Sequence, residues 1–179
     1  MTRVLVTGFE PFGTHEVNPS ALIAEALGGV VLPVSFARAS GALRHAIDER
    51  DPELVVCFGL SDGRSAISVE RFAHNLDEAD AVDNEGAGGS GSAIDPDGPL
   101  ALPSSLPVDA IVAALRAEEI PAAPSRDAGG YLCNHVFYVL MGALEPGRKG
   151  GFVHVPSIDV IPLATQIRAA RTIVAVAST

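Results

Sequence analysis

The sequence predicts an α/β protein in which a mostly parallel sheet is covered by helices on both faces. Three observations predict it. Strand and helix patterns alternate along the chain. The segment Leu54-Val55-Val56-Cys57-Phe58-Gly59 is apolar throughout, as parallel strands buried on both faces are. Hydrophobic residues make up 47% of 179 residues, enough for one compact domain with a sizeable core. No repeat or boundary divides 1–179, so a single domain is expected.

The elements follow in order. Residues 3–7 read as a first strand, and the Gly and Pro of Gly8-Phe9-Glu10-Pro11-Phe12-Gly13 read as a loop. Asn18-Pro19 has the form of an N-cap with Pro at the first helical position, opening a helix over 19–27 that Gly28 stops. A strand over 30–34 and a helix over 37–50 precede the buried strand 54–59. Residues 67–76 read as one further strand, and 77–98, polar and Gly-rich, as a mobile loop. Helices over 107–119, 131–144 and 162–177 alternate with strands over 122–125 and 151–155. In such a sheet, function gathers at the C-terminal ends of the strands.

Composition excludes several functions. A net charge of −10 repels phosphate backbones and anionic lipid, so neither nucleic acid nor membrane is expected as a partner. No apolar stretch reaches spanning length, and the run within 1–8 is too short for a signal peptide. Two cysteines, Cys57 and Cys133, do not make a disulfide scaffold, so a cytoplasmic location is expected. The chain has no Gly-x-Gly-x-x-Gly after the first strand, no phosphate loop and no metal-ligand spacing, so no cofactor and no metal is called for. Gly89-Ser90-Gly91-Ser92-Ala93 holds only a broken nucleophile-elbow pattern, and it neither follows a strand nor opens a helix. Trp is absent and aromatics are 5%, so Phe9 and Phe12 stand out in their loop.

Three residues carry candidate chemistry. Cys133 follows Gly129-Gly130 and falls in the first turn of a helix, where free N–H groups and the dipole favour a thiolate and an oxyanion. A buried structural cysteine is the competing reading, and Cys57, inside an apolar strand, fits that reading well. His154 ends an apolar strand before Pro156, a good place for a base; a hydrogen-bonded core histidine is the alternative. Glu70 lies in an alternating strand and needs a partner if it faces inward; a surface carboxylate paired with Arg71 is the alternative. The residues alone do not single out Glu70 among the acids. His135, two positions past Cys133, points to another side of its helix.

Seven segments in register resemble the pyroglutamyl peptidase type I (pyrrolidone carboxyl peptidase) family. They are Val6-Thr7-Gly8-Phe9-Glu10-Pro11-Phe12-Gly13 with Asn18-Pro19-Ser20; Gly63-Arg64-Ser65 with Val69-Glu70-Arg71-Phe72-Ala73-His74-Asn75; Asp83-Asn84-Glu85-Gly86; Leu106-Pro107-Val108; Ile120-Pro121-Ala122; Ala128-Gly129-Gly130-Tyr131-Leu132-Cys133-Asn134; and Gly151-Phe152-Val153-His154-Val155-Pro156. The resemblance implies a three-layer α/β/α sandwich with a mostly parallel, mixed central sheet. It implies a cysteine peptidase acting on peptides with N-terminal pyroglutamate, with Cys133 as nucleophile, His154 as base and Glu70 orienting the base. Phe9 and Phe12 would then flank the lactam ring, and the backbone at Leu60 would pair with its amide. A homo-oligomer, tetramer or dimer, is implied as well. Departures are Asp80 where the family usually carries Arg, Gly130 where Thr is usual, and a shorter chain after His154. A carboxylate near Cys133 would disfavour the thiolate, whereas in a solvated loop it would do little. Two alternatives stay open: an amidase or acyl-peptidase of the same fold with a changed pocket, and a non-catalytic protein that binds pyroglutamyl ends.

Overall fold

The computed structural model describes residues 2–179; Met1, part of the N-terminal reading above, lies outside them. Among the described residues, six strands form one sheet in the order β2-β1-β3-β8-β4-β7. They are β1 (Val4–Phe9), β2 (Val30–Leu32), β3 (Leu54–Leu60), β4 (Ile67–Glu70), β7 (Ala122–Ser125) and β8 (Lys149–Val155). All pairs are parallel except β4 with β8. Strands β5 (Phe72–His74) and β6 (Ala101–Pro103) form a separate antiparallel pair.

Five helices among the described residues cover this sheet: α1 (Pro19–Ala26), α2 (Ala39–Arg50), α3 (Val108–Ala117), α4 (Leu132–Ala143) and α5 (Leu163–Ala177). Strand alternation sorts the core into two halves. Val6, Val56, Phe58, Val69 and Val153 pack with Ile23 of α1, Ile111 of α3 and Ile173 of α5. Leu5, Phe9, Val55, Cys57 and Phe152 pack on the other face with Leu43 of α2 and Val136 and Phe137 of α4. This is the expected mixed α/β/α sandwich, built mainly from aliphatic side chains. No described helix is long and apolar enough to cross a membrane.

Some boundaries differ from the sequence reading. β1 runs through Gly8 to Phe9. Gly8 is there because α1 packs on the strand: a Cβ would overlap the Ser20 carbonyl. The strand expected over 67–76 breaks at Arg71, whose N–H donates to Ser125 O while its carbonyl accepts from Ser104 N. Beyond that point the chain leaves the sheet, and buried Asn134 clamps it. The Asn134 Oδ1 accepts from His74 N at 2.8 Å, and its Nδ2 donates to the carbonyls of His74 and Leu76. The loop over 77–98 is tied down at several points. Asp83, buried, accepts from the amides of Phe36, Glu85 and Ala87, and Glu78 N donates to Gly130 O.

Candidate active site

The site lies at the C-terminal ends of β1, β3 and β8, on the α4 side of the sheet. Residues 152 and 154 of β8 share one face with Ser68 and Glu70 of β4. Near the antiparallel register pair Ser68↔His154, two polar side chains therefore meet under α4. Glu70 is fully buried and His154 nearly so. His154 Nδ1 lies 2.8 Å from Glu70 Oε1. A carboxylate only accepts, so Nδ1 carries a proton and Nε2 is left to take one.

Cys133 comes from the first turn of α4. Gly129, at φ +81°, turns the chain into the helix, a conformation glycine adopts without strain. The N-cap residue Tyr131 makes no side-chain cap bond, and the first turn carries no acidic residue. The first amides of α4 are thus free to face an anion. The sulfur sits over Gly59: a Cβ there would lie 2.6 Å from Cys133 Sγ and 2.8 Å from the Phe152 ring. Gly59 is the register partner of His154 on the adjoining strand, about 4.8 Å away. Among the described residues, no hydrogen bond joins Cys133 to the imidazole; such contacts often tighten only when substrate is bound.

Burial acts on both reacting groups. Burial pushes the Cys133 thiol up to about 12, the Glu70 charge adds to this, and Arg64 opposes it. Burial also lowers the pKa of His154, against the pull of Glu70. Burial thus opposes the thiolate that the helix terminus favours. Cys57 is likewise pushed up to about 12 by burial, with no base beside it.

A small pocket opens beside the sulfur, lined by Phe9, Phe12, Asn18, Val34, Leu60, Tyr131, Leu132 and Cys133. It is narrow, at about 30 Å³, well below the roughly 300–1,000 Å³ typical of drug-sized sites. It suits one compact, mostly apolar group. Phe12 packs against Tyr131 with ring centroids 6.1 Å apart, and Phe9 leans on Phe152 at 6.4 Å. Buried Asn18 caps α1 through Ser20 N and donates to Glu10 O, which fixes the loop carrying Phe12.

The structure thus brings Glu70 to His154, and Cys133 to Phe9, Phe12 and Leu60. It leaves Asp80 exposed, and the charges that move the Cys133 thiol do not include it. Asp80→Arg is therefore expected to leave the pH dependence of Cys133 alkylation superimposable on wild type; a lower midpoint in the variant would show coupling. His135 turns away to Asp77, at 2.8 Å, and to Ser40 Oγ, at 2.8 Å. Sequence reasoning gave no role to Arg64, although it quoted the residue. Its Nη1 lies 3.0 Å from Glu70 Oε1.

Gly59 carries a further expectation. Gly59→Ala leaves no room for the sulfur in its present position, and displacement of a nucleophile by about 1 Å costs on the order of 10²-fold. The kcat of Gly59→Ala should fall by about that factor while the circular dichroism stays native. An unchanged kcat would mean that the sulfur reacts from elsewhere.

The comparisons agree with this geometry. The family described as pyroglutamyl peptidase matches residues 2–170. The pyrrolidone-carboxylate peptidase of Streptomyces coelicolor is 42% identical over 200 residues, covering 99% of this chain and 93% of the relative. That of Gloeobacter violaceus is 47% identical over 167 residues, covering 86% and 81%. The crystal structure of Bacillus amyloliquefaciens pyroglutamyl peptidase I superposes with a TM-score of 0.96 at 35% identity, covering 99% of this chain and 97% of that one. Pyrrolidone carboxyl peptidase from Thermococcus litoralis gives 0.95 at 36% identity, covering 99% and 94%. With a fold, a cysteine and a pocket of this kind and relatives of this identity, the chain belongs to the pyroglutamyl peptidase family of cysteine omega-peptidases.

Proposed function

We propose that this chain hydrolyses the amide bond after an N-terminal pyroglutamyl residue, with Cys133 as nucleophile, His154 as general base and then acid, and Glu70 orienting His154. The observation that carries it is the position of Cys133 Sγ. It sits over Gly59, beside the strand that presents His154, at the edge of a small apolar pocket. His154 Nε2 takes the thiol proton as Sγ attacks the pyroglutamyl carbonyl carbon. The free amides at the start of α4 receive the oxyanion. The tetrahedral intermediate collapses, the C–N bond breaks, and Nε2 returns the proton to the leaving amine. Water then attacks the thioester, giving up a proton to His154, and pyroglutamate leaves with the thiol restored.

With burial pushing the thiol up to about 12, proton transfer to His154 accompanies attack. Glu70 serves that moment. Its Oε1 already accepts from Nδ1–H, so the carboxylate balances the imidazolium that forms beside it. Phe9 and Phe12 hold the faces of the lactam, and the backbone at Leu60 pairs with its amide. The lactam has no ammonium to neutralise, so the apolar lining suits it. The homo-oligomer and the cytoplasmic location implied by the resemblance belong to the same proposal.

The test is release of p-nitroaniline from pyroglutamyl, acetyl and prolyl anilides, with and without prior alkylation of the thiols. Release from the pyroglutamyl anilide alone, lost on alkylation, is expected. Equal release from the acetyl anilide would point instead to a broader acyl-peptidase.

A further inference from the structure

We propose that Arg64 is a positioning residue of this site: one arm of its guanidinium shares Glu70 Oε1 with His154, and the other holds the turn that leads to Cys133. This rests on the roles given above to Cys133, His154 and Glu70. Arg64 lies in the connection between β3 and β4, with its side chain about three-quarters buried. Its Nη1 is 3.0 Å from Glu70 Oε1, the oxygen that His154 Nδ1 contacts at 2.8 Å. Its Nη2 donates to the carbonyl of Asp127 at 2.8 Å. Asp127 Oδ1 in turn accepts from Gly129 N at 2.8 Å, in the turn that enters α4. A single side chain therefore ties the carboxylate–imidazole pair to the segment that aims the nucleophile. A planar fork with two donor arms suits this task, and an ammonium does not.

The charge has a consequence of its own. The charged groups that act on His154 are Glu70 from β4, Arg64 from the β3–β4 connection and Asp127 from the turn before α4; from β3 the register neighbour is Gly59. Burial lowers His154 most, Glu70 and Asp127 raise it, and Arg64 lowers it further. By sharing Oε1, Arg64 adds to burial in holding down the proton affinity of the base against the pull of Glu70. It orients the base through the carboxylate while keeping it free to accept a proton.

The experiment compares wild type, Arg64→Gln and Arg64→Lys by two readings. The first is the His154 ring titration by NMR, assigned with His154→Gln, which needs no substrate. The second is the pH profile of kcat and KM on a pyroglutamyl anilide. Arg64→Gln should raise the His154 midpoint by roughly one pH unit, the scale of removing a charge at this range. The acid limb of kcat/KM should move with it, and kcat should fall by a factor on the order of ten to a hundred, with KM little changed. Arg64→Lys should return the titration towards wild type without restoring kcat. A His154 midpoint unmoved in Arg64→Gln would overturn the proposal, as would equal losses in both variants with an unchanged acid limb. An inactive wild type whose His154 midpoint still depends on Arg64 would sink the assigned reaction and leave the coupling standing.

Discussion

Cys133→Ser is expected to lower kcat/KM for a pyroglutamyl anilide by a factor on the order of 10⁴ or more, with the fold retained. The site offers a serine hydroxyl little help. Burial already pushes the thiol up to about 12, and a hydroxyl starts far higher. Cys57→Ser is the control. Cys57 lies fully buried beside Thr7, so a hydroxyl there costs stability but leaves the reacting atoms alone. The measurement is steady-state kinetics on both proteins, with circular dichroism to verify folding. Equal losses in two folded variants would contradict the assignment of the nucleophile.

His154→Ala should lose a factor on the order of 10³ to 10⁴ in kcat, the scale of a general base that also protonates the leaving group. Glu70→Gln should lose less, on the order of 10²-fold: the amide oxygen still accepts from Nδ1–H but no longer balances an imidazolium. It also leaves Arg64 without its anion. The pH profile carries the sign. Turnover needs neutral imidazole, and burial lowers the pKa of His154. The acid limb of wild-type kcat/KM should therefore lie below the ordinary histidine range, with activity kept into mildly acidic solution. The thiol, pushed up to about 12, should give no alkaline limb near neutrality. Wild-type turnover in His154→Ala, or an acid limb above the ordinary range, would refute this account of the base.

Much of this was legible in the sequence because it rests on local chemistry. The unbroken apolar run of β3 announced a strand buried on both faces, and Asn18-Pro19 announced the start of α1. The family resemblance named Glu70, Cys133 and His154 together, and the fold brings Glu70 to His154. What was hidden depended on tertiary contacts. Gly8 resembles a strand breaker, yet it lies within β1 because the Ser20 carbonyl needs its space. Phe72–His74 continues the alternation of β4, so nothing local marks the break at Arg71 that the contacts with Ser104 and Ser125 impose. β6 ends in Pro103, which reads as loop until it is seen paired with Phe72. The helix terminus suggested a thiolate, but periodicity cannot weigh a dipole against the burial of the same sulfur. Arg64 was quoted as part of a motif, but its partner is six positions away across a turn, and only folding brings the two together.

The most direct test of the account is to trap the acyl-enzyme. Wild-type protein is mixed with a pyroglutamyl ester, quenched in acid during turnover, digested and read by mass spectrometry. The account predicts one pyroglutamyl group in thioester linkage on the peptide that holds Cys133, none on the peptide that holds Cys57, and no adduct in Cys133→Ser. Full turnover with both cysteine peptides unmodified, or an adduct on any other residue, would contradict it.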